Sequence, residues 1–315
     1  MTTASETYER VRGPLADRGI DVGHVRAKER TFRLDGAGVD PEEATGTDTD
    51  ATTNAEEFDV GFVYPSRLME GAVVDRRLSV PWVNDRDAVV TSRNKAGVLA
   101  TLSAAGLPVP RTTLVSNPVD ESVVVEAATD FEFPVVVKPN SATRGVGVAK
   151  ATDLDSLLGV VDYLNLAHDY RATGDKSYLI QEFLPDARDY RAMVVDGAYA
   201  GTVRRELPAD ALAAGRWKHN VHRGADARGV ELGREGRELA ERTAAALGID
   251  YLGVDLLETD DRFVVNETNA RPTVDAATKY EPGFYDGLAG LIRRVAEDRP
   301  AGAEGDAAGE TGRSR

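Results

Sequence analysis

The chain has 315 residues, 42% of them hydrophobic, a formal net charge of -15 and no cysteine. That is enough apolar material for two or three packed units, and the missing cysteine excludes disulfide frameworks and thiolate metal sites. So acidic a surface repels nucleic acid and anionic lipid, and no apolar run approaches a membrane span, so neither nucleic acid nor membrane is expected as a partner.

Seven lysines stand against many arginines, aspartates and glutamates. That balance is the one expected of a salt-loving cytoplasm, where concentrated salt screens self-repulsion. The opening MTTASETYERVRG lacks the apolar core of a signal peptide, so a cytoplasmic address is expected.

Residues 1–33 predict a helix up to Arg18, a glycine stop, and then a strand over 21–26. Residues 35–57 are rich in Asp, Glu, Thr, Gly and Ala, the composition of a mobile acidic loop. Residues 58–64 read as a buried strand, with Pro65-Ser66-Arg67 as the loop behind it. A helix is expected over about 93–105, ended by Gly106, and 299–315 reads as a frayed tail.

The stretch FPVVVKPNSATRGVGVAK delivers Lys138 at the end of a valine-rich strand and follows it with a glycine-bearing loop. Exposed backbone amides and an ammonium together suit a phosphate. The Walker spacing is absent, and taken alone the stretch is equally a plain hairpin.

Next, YLIQEFLPDARDYRAMVVDGAYAGTVRREL predicts a strand over 178–183 whose Glu182 and Phe183 backbone could read a nucleobase edge. Asp196-Gly197 is a two-residue hairpin turn. Pairing outward from it places Val195 opposite Ala198, Arg191 opposite Thr202 and Asp189 opposite Arg204. Asp189, Arg191 and Arg204 then share a face suited to ribose and polyphosphate, and Arg205 points away. A simple cross-strand salt bridge explains the same residues.

The segment Arg216 to Gly224, RWKHNVHRG, is dense in donors and precedes a helix over about 233–247. His219 and His222 lack the further ligands that zinc needs. A cationic loop for phosphate or carboxylate fits better, with a solvated turn as the plain alternative.

Last comes LGVDLLETDDRFVVNETNARP, residues 252–272, which reads as a hairpin. Glu267 and Asn269 are two apart and leave one face of their strand. With an odd loop, leaving 260–262 unpaired, Asp255 sits directly across from Glu267. An even loop would place the two carboxylates on opposite faces. Facing acids repel, so they need a proton, an arginine or a cation between them. Two carboxylates with an amide oxygen suit Mg²⁺.

These segments in this order resemble the ATP-grasp superfamily, most closely its RimK-type, alpha-L-glutamate ligase-like carboxylate–amine ligases. The resemblance rests on Arg93-Asn94-Lys95, Val137-Lys138-Pro139, Ser141 with Arg144-Gly145-Val146-Gly147, Gln181-Glu182-Phe183 and Asp189-x-Arg191. It continues through Lys218-His219-Asn220, Arg223-Gly224, Gly253 to Glu258 and Asn266 to Asn269, over roughly 58–291.

It implies an α/β ATP-grasp fold: a Rossmann-like N-terminal domain over 1–90, a central lid over 91–184, and a C-terminal antiparallel-sheet subdomain over 185–298. By the same resemblance ATP would be held by Lys95, Lys138, Ser141, Gly145, Gly147, Glu182, Phe183, Asp189 and Arg191. Mg²⁺, with Mn²⁺ as a substitute, would be held by Asp255, Glu267 and Asn269. Arg204, Lys218 and Asn220 would face the reacting phosphate, and Arg67, Arg223 and Arg271 the substrate.

Two departures stand out. Relatives often carry arginine where Lys218 stands, and many run into a Pro-Gly where this chain has Ala270-Arg271-Pro272-Thr273. The implied reaction joins an amino acid such as glutamate to a carboxylate on a coenzyme tail, a carrier protein or a peptide end, through an acylphosphate. A homo-oligomer is among the admissible assemblies. Two other readings of the same fold are a non-catalytic nucleotide-binding regulator and a kinase-like phosphotransferase.

Overall fold

The computed structural model describes residues 1, 5–28, 31–32, 34, 58–143, 145–167, 175–219, 221, 224–276 and 279–298. The expected acidic loop and the tail lie outside the described residues, as do Arg144, Asn220, His222 and Arg223. In chain order the first elements are α1 (Ser5–Ala16), β1 (Gly61–Phe62), α2 (Leu68–Leu78), β2 (Trp82–Val83), α3 (Arg86–Arg93) and α4 (Lys95–Ala104). There follow β3 (Thr112–Val115), α5 (Glu121–Ala128), β4 (Val135–Pro139), β5 (Ala149–Ala151), α6 (Leu154–Ala167) and β6 (Tyr178–Glu182). The chain continues with β7 (Arg188–Val195), β8 (Ala198–Glu206), α7 (Ala209–Ala213), β9 (Asp226–Val230) and α8 (Arg234–Leu247). Finally come β10 (Tyr251–Glu258), β11 (Phe263–Asn269) and α9 (Phe284–Glu297).

Two antiparallel sheets carry the molecule. One has four strands in the order β3-β6-β4-β5, the other five in the order β11-β10-β7-β8-β9. The four-stranded sheet has its own core, where Val115, Val124, Val137, Leu157 and Ile180 pack under α5 and α6. The five-stranded sheet shares one core with the N-terminal elements: Val11, Leu15, Phe62, Val63 and Val83 join Tyr251, Val254 and Leu288. Within the described residues the N-terminal α/β piece pairs only β1 with β2, in parallel.

Some local expectations need correction. Residues 21–26 form no strand; the segment is tied instead to the chain start, with the Met1 ammonium donating to Gly23 O and Val25 N to Met1 O, each at 2.8 Å. The strand expected over 58–64 shortens to β1. The helix expected over 93–105 begins at Lys95, because Asn94 leaves the helix and its Oδ1 accepts from Gly97 N at 3.0 Å. Asparagine favours that capping position because its short side chain reaches an otherwise unpaired amide.

The register of the two hairpins decides which side chains can meet. In β10–β11, Glu258 pairs with Phe263, so the loop 259–262 is even. By itself that would separate the carboxylates. A bulge reverses it: Leu256 pairs with Val265 but Asp255 with Glu267, leaving Asn266 as the extra residue. Asp255 and Glu267 therefore face one another, as expected, by a route other than the odd loop.

In β7–β8 the turn is as expected. Asp196 and Gly197 both have positive φ, at 53° and 77°, and Val195 pairs with Ala198. Beyond it Val194 pairs with Tyr199 and Met193 with Gly201, so Ala200 is extra. Asp189 then pairs with Arg205 and Arg191 with Val203. The expected partners Arg204 and Thr202 are each off by one. Arg205, not Arg204, shares the face of Asp189 and Arg191.

Gly201 explains why the irregularity sits there. Its φ is +128°, and a Cβ would lie 2.7 Å from Tyr280 Cα. Only glycine accepts both the backbone and the approach. Gly201→Ala is expected to lower stability by about 1–3 kcal/mol in urea unfolding. Gly290→Ala, in an exposed turn of α9 with open space around it, should leave stability equal or raise it by about 0.5–1 kcal/mol.

Candidate active site

The site begins on the face that the β10–β11 bulge sets. Asp255 is buried and stands across from Arg191 on the next strand. The guanidinium grips the carboxylate at both oxygens, Nε to Oδ1 at 2.7 Å and Nη2 to Oδ2 at 2.8 Å. Arg205 adds a contact to Oδ2 at 3.3 Å and holds Asp189 through Nε at 2.8 Å. Burial alone would raise the Asp255 carboxyl, but Arg191 and Arg205 outweigh it and hold it below its ordinary range. Asp189 goes the other way: burial pushes it up and Arg205 only partly offsets this, with the charge of Asp255 adding to the rise.

Two buried ammoniums approach these acids, Lys95 from α4 and Lys138 from the four-stranded sheet. Lys95, the first residue of α4, lies 3.5 Å from Glu267 Oε1 and donates to the carbonyls of Asn140, at 3.4 Å, and Ala142. Lys138, on β4, reaches Asn266 at Oδ1, 3.3 Å, and at its carbonyl, 3.5 Å. Burial pulls Lys138 down to about 8; Glu267 and Asp255 resist, and the charge of Lys95 assists. Beside them the buried Ser141 Oγ has no hydrogen-bond partner. Gly145 and Gly147, in the loop before β5, have φ of 66° and 73°. Four cations (Lys95, Lys138, Arg191, Arg205) thus meet three carboxylates (Asp189, Asp255, Glu267), leaving a local balance of 4 − 3 = +1.

Asp255, Glu267 and Asn269 present hard oxygen donors on one face. Among the described residues no three His, Cys, Asp or Glu gather into a metal cluster. Two carboxylates and an amide are nonetheless a fitting set for Mg²⁺, which completes its shell with phosphate and water. Asp255 is already engaged by arginine. Glu267 is 34% exposed and, among the described residues, has the Lys95 ammonium at 3.5 Å as its one ion-pair partner, so it is the readier ligand.

Toward the other end, Phe183 meets Trp217 edge to face at 5.8 Å. Lys150 Nζ lies 4.7 Å from the Phe183 ring and 5.6 Å from the Trp217 ring. Trp217 and Lys150 were not singled out from sequence, although both lie inside the stretches that were. Glu182 is occupied, accepting from Arg111 N at 2.8 Å and Arg262 Nη2 at 2.9 Å. Lys218 donates to Val148 O in the segment leading to β5, and His219 Nδ1 lies 2.9 Å from Arg205 O.

Other expected residues stand apart from this cluster. Arg204 pairs with Glu206 at 2.6 Å on the opposite face of the sheet, away from Asp255, because of the extra Ala200. Arg67 is exposed and 3.6 Å from Glu70. Arg271 donates to the carbonyls of Tyr64 and Val63, and its backbone N–H to Asn269 Oδ1 at 2.8 Å. Burial, with the charge of Arg93 adding to it, lowers the Arg271 guanidinium to about 10. Asn220 and Arg223 lie outside the described residues.

The chain is similar in sequence and fold to known proteins. Residues 92–282 match the model of the RimK-like ATP-grasp domain, more than half of the chain. An alpha-aminoadipate–LysW ligase, LysX, of Sulfurisphaera tokodaii is 30% identical over 212 residues, covering 66% of this chain and 69% of that protein. A probable alpha-L-glutamate ligase of Shewanella halifaxensis is 26% identical over 218 residues; the match takes in 68% of this chain but only 44% of that longer protein. Among solved structures, the D-cycloserine synthetase DcsG has a TM-score of 0.68 at 19% identity, over 93% of this chain and 96% of its own. The ATP-grasp ligase PsnB, complexed with minimal precursor, Mg and ADP, has a TM-score of 0.60 at 16% identity, over 92% and 94%.

The chain belongs to the RimK-like ATP-grasp family of ligases.

The corrected register carries a stability test. Arg205→Met strips a partner from two buried acids and should cost about 3–5 kcal/mol in urea unfolding. Arg204→Met, breaking a half-exposed pair, should cost under about 1 kcal/mol.

Lys138 carries a pH test. Its folded value of about 8 lies below the ordinary 10.5, so the unfolded chain binds that proton more tightly. Charged Lys138 therefore costs the ligand-free fold roughly 3 kcal/mol (2.5 units at 1.36 each) below pH 8, a penalty that fades as pH rises to 10.5. Lys138→Met should be more stable than the natural chain below pH 8, and the gap should shrink toward pH 10.5 in thermal unfolding.

Proposed function

We propose that the chain is an ATP- and Mg²⁺-dependent carboxylate–amine ligase that adds an acidic amino acid, glutamate or a close analogue, to a carboxylate acceptor. One observation carries this reading: Asp255 and Glu267 face each other beside the buried ammoniums of Lys95 and Lys138. Opposed acids next to opposed cations suit a metal–polyphosphate, because each partner neutralises the other's burial cost.

The chemistry follows from the electrophile. A free carboxylate resists attack by an amine. Transfer of the terminal phosphoryl group of ATP to a carboxylate oxygen releases ADP and leaves an acylphosphate. The amine then attacks the acyl carbon, the C–O bond to phosphate breaks, the nitrogen gives up a proton, and amide and inorganic phosphate leave. Protein side chains need form no covalent bond, so positioning and charge neutralisation do the catalysis.

Residue roles divide accordingly. Lys95, Lys138, the unpartnered Ser141 Oγ and the loop at Gly145 and Gly147 bind phosphates. The Phe183–Trp217 pair with Lys150 offers a face for the base, and Asp189 would serve the ribose. Asp255, Glu267 and Asn269 would hold Mg²⁺, which when bound neutralises charge on the phosphate oxygens. Arg191 orients Asp255, and Arg205 takes the place on this face that pairing from the turn gave to Arg204. Lys218, which donates one N–H to the Val148 carbonyl, has further donors for the reacting phosphate. Arg271, beside Asn269, and Arg67 and Arg223 are the groups proposed for substrate carboxylates.

The acidic amino acid is supported by the names of the glutamate ligase and aminoadipate ligase relatives. For the acceptor, a coenzyme tail, a carrier protein and a peptide end share the required carboxylate.

The test is a screen of carboxylate and amine pairs for ADP release, with mass detection of the amide. Glu267→Gln should cut turnover by about 10²–10³-fold while the unfolding transition stays in place. Full turnover in that variant removes Glu267 from the site, and a stable phosphorylated product without amide overturns the ligase reading.

A further inference from the structure

Among the described residues β11 is an edge strand, with β10 on one side and no strand on the other. It carries Glu267 and Asn269, so the open edge of the site's own ligand strand has to be held by something other than a ladder. An unheld edge strand twists and frays. Here three outside groups hold it. Pro108 O accepts from Val265 N at 2.9 Å, Lys138 reaches the Asn266 carbonyl, and Ser92 Oγ accepts from Ala270 N at 3.0 Å.

Ser92 does more than its neighbours. It is buried in α3, and its Oγ also lies 3.1 Å from Thr268 Oγ1, which is buried too. Thr268 alternates with Glu267 and Asn269, so its side chain leaves the back of the strand while theirs leave the front. The hydroxyl pair therefore pins the strand from behind, at the residue between the two ligands. Two residues past Thr268, buried Asn84 closes the end: its amide donates to Ala270 O at 2.7 Å and Tyr251 O at 2.5 Å. α3 leads through Asn94 straight into Lys95, whose ammonium faces Glu267.

We propose that Ser92 is a positioning residue for the Mg²⁺ ligands, fixing the direction of Glu267 and Asn269 through Thr268 Oγ1 and Ala270 N. This rests on the metal reading of Asp255, Glu267 and Asn269. Supporting residues behind metal ligands set ligand direction, and losing one commonly weakens metal binding by about 10–100-fold.

The experiment titrates Mg²⁺ into the full chain with ADP present, by calorimetry, alongside urea unfolding. Ser92→Ala should weaken Mg²⁺ by about 10–100-fold. Thr268→Ser, which keeps the hydroxyl, should bind as the natural chain does. Leu288→Ala is the control: it empties part of the fully buried core under α9, outside the hydrogen bonds of Ser92, and should lower stability without moving Mg²⁺ affinity. Should Ser92→Ala not fold, Ser92→Cys, with its weaker acceptor, is the variant to read. Unchanged Mg²⁺ affinity in Ser92→Ala, or in Ser92→Cys where that is the variant read, or an equal loss in Leu288→Ala, overturns the positioning role while the metal site stands. A natural chain that binds ADP without Mg²⁺ dependence overturns both.

Discussion

The Asp255 carboxylate, gripped by Arg191 and shared with Arg205, is the interaction on which the site depends. Three strands supply it: β10 the acid, β7 and β8 the arginines. A lone buried carboxylate would protonate or drive the strands apart, since its desolvation costs several kcal/mol. Two guanidiniums and the sheet's own register hold it charged instead. A charged, directed acid can then work with Glu267 on the neighbouring strand. The row is also self-consistent: each arginine answers an acid, and Arg205 answers two.

That row explains the placement of the ammoniums. Lys95 and Lys138 come from elements outside the five-stranded sheet, and both are buried against it by polar contacts: Lys95 with Glu267, Lys138 with Asn266. Lys218 bonds Val148 in the reverse direction. The four-stranded unit has a core of its own, while α4 shares the core of the five-stranded sheet, so the bonds of Lys138 to Asn266, of Lys218 to Val148 and of Lys95 to the Asn140 carbonyl join two separately packed bodies. Polar bonds of 3.3–3.5 Å are readily exchanged for bonds to phosphate.

How much of this could be read from the chain depends on locality. The Asp196-Gly197 turn, the helix over about 233–247 and the Lys138 strand are set by residues within a few positions, and they were legible. Bulges are not local. Ala200 is extra because Gly201 lies against Tyr280, a contact no period or turn rule contains, and so the sequence pointed to Arg204 instead of Arg205. At β10–β11 the same blindness did no harm. The loop is even, not odd, and the bulge at Asn266 restores the facing acids. The Trp217–Lys150–Phe183 grouping was hidden for a related reason: its members come from three segments that only the packed fold brings together.

The net charge sharpens the point about the cleft. A chain at -15 repels a polyphosphate at long range, the more so in dilute salt. Attraction has to be built locally, within a Debye length of the bound group. The four cations against three acids give that local sign, and a divalent ion held by Asp255 and Glu267 would add to it. The acids serve the nucleotide only through such an ion, for without it they oppose the phosphates. Placing them opposite one another on the last two strands of a sheet, the outer one braced from behind by Ser92, makes an anionic protein receptive to an anionic substrate at one place on its surface.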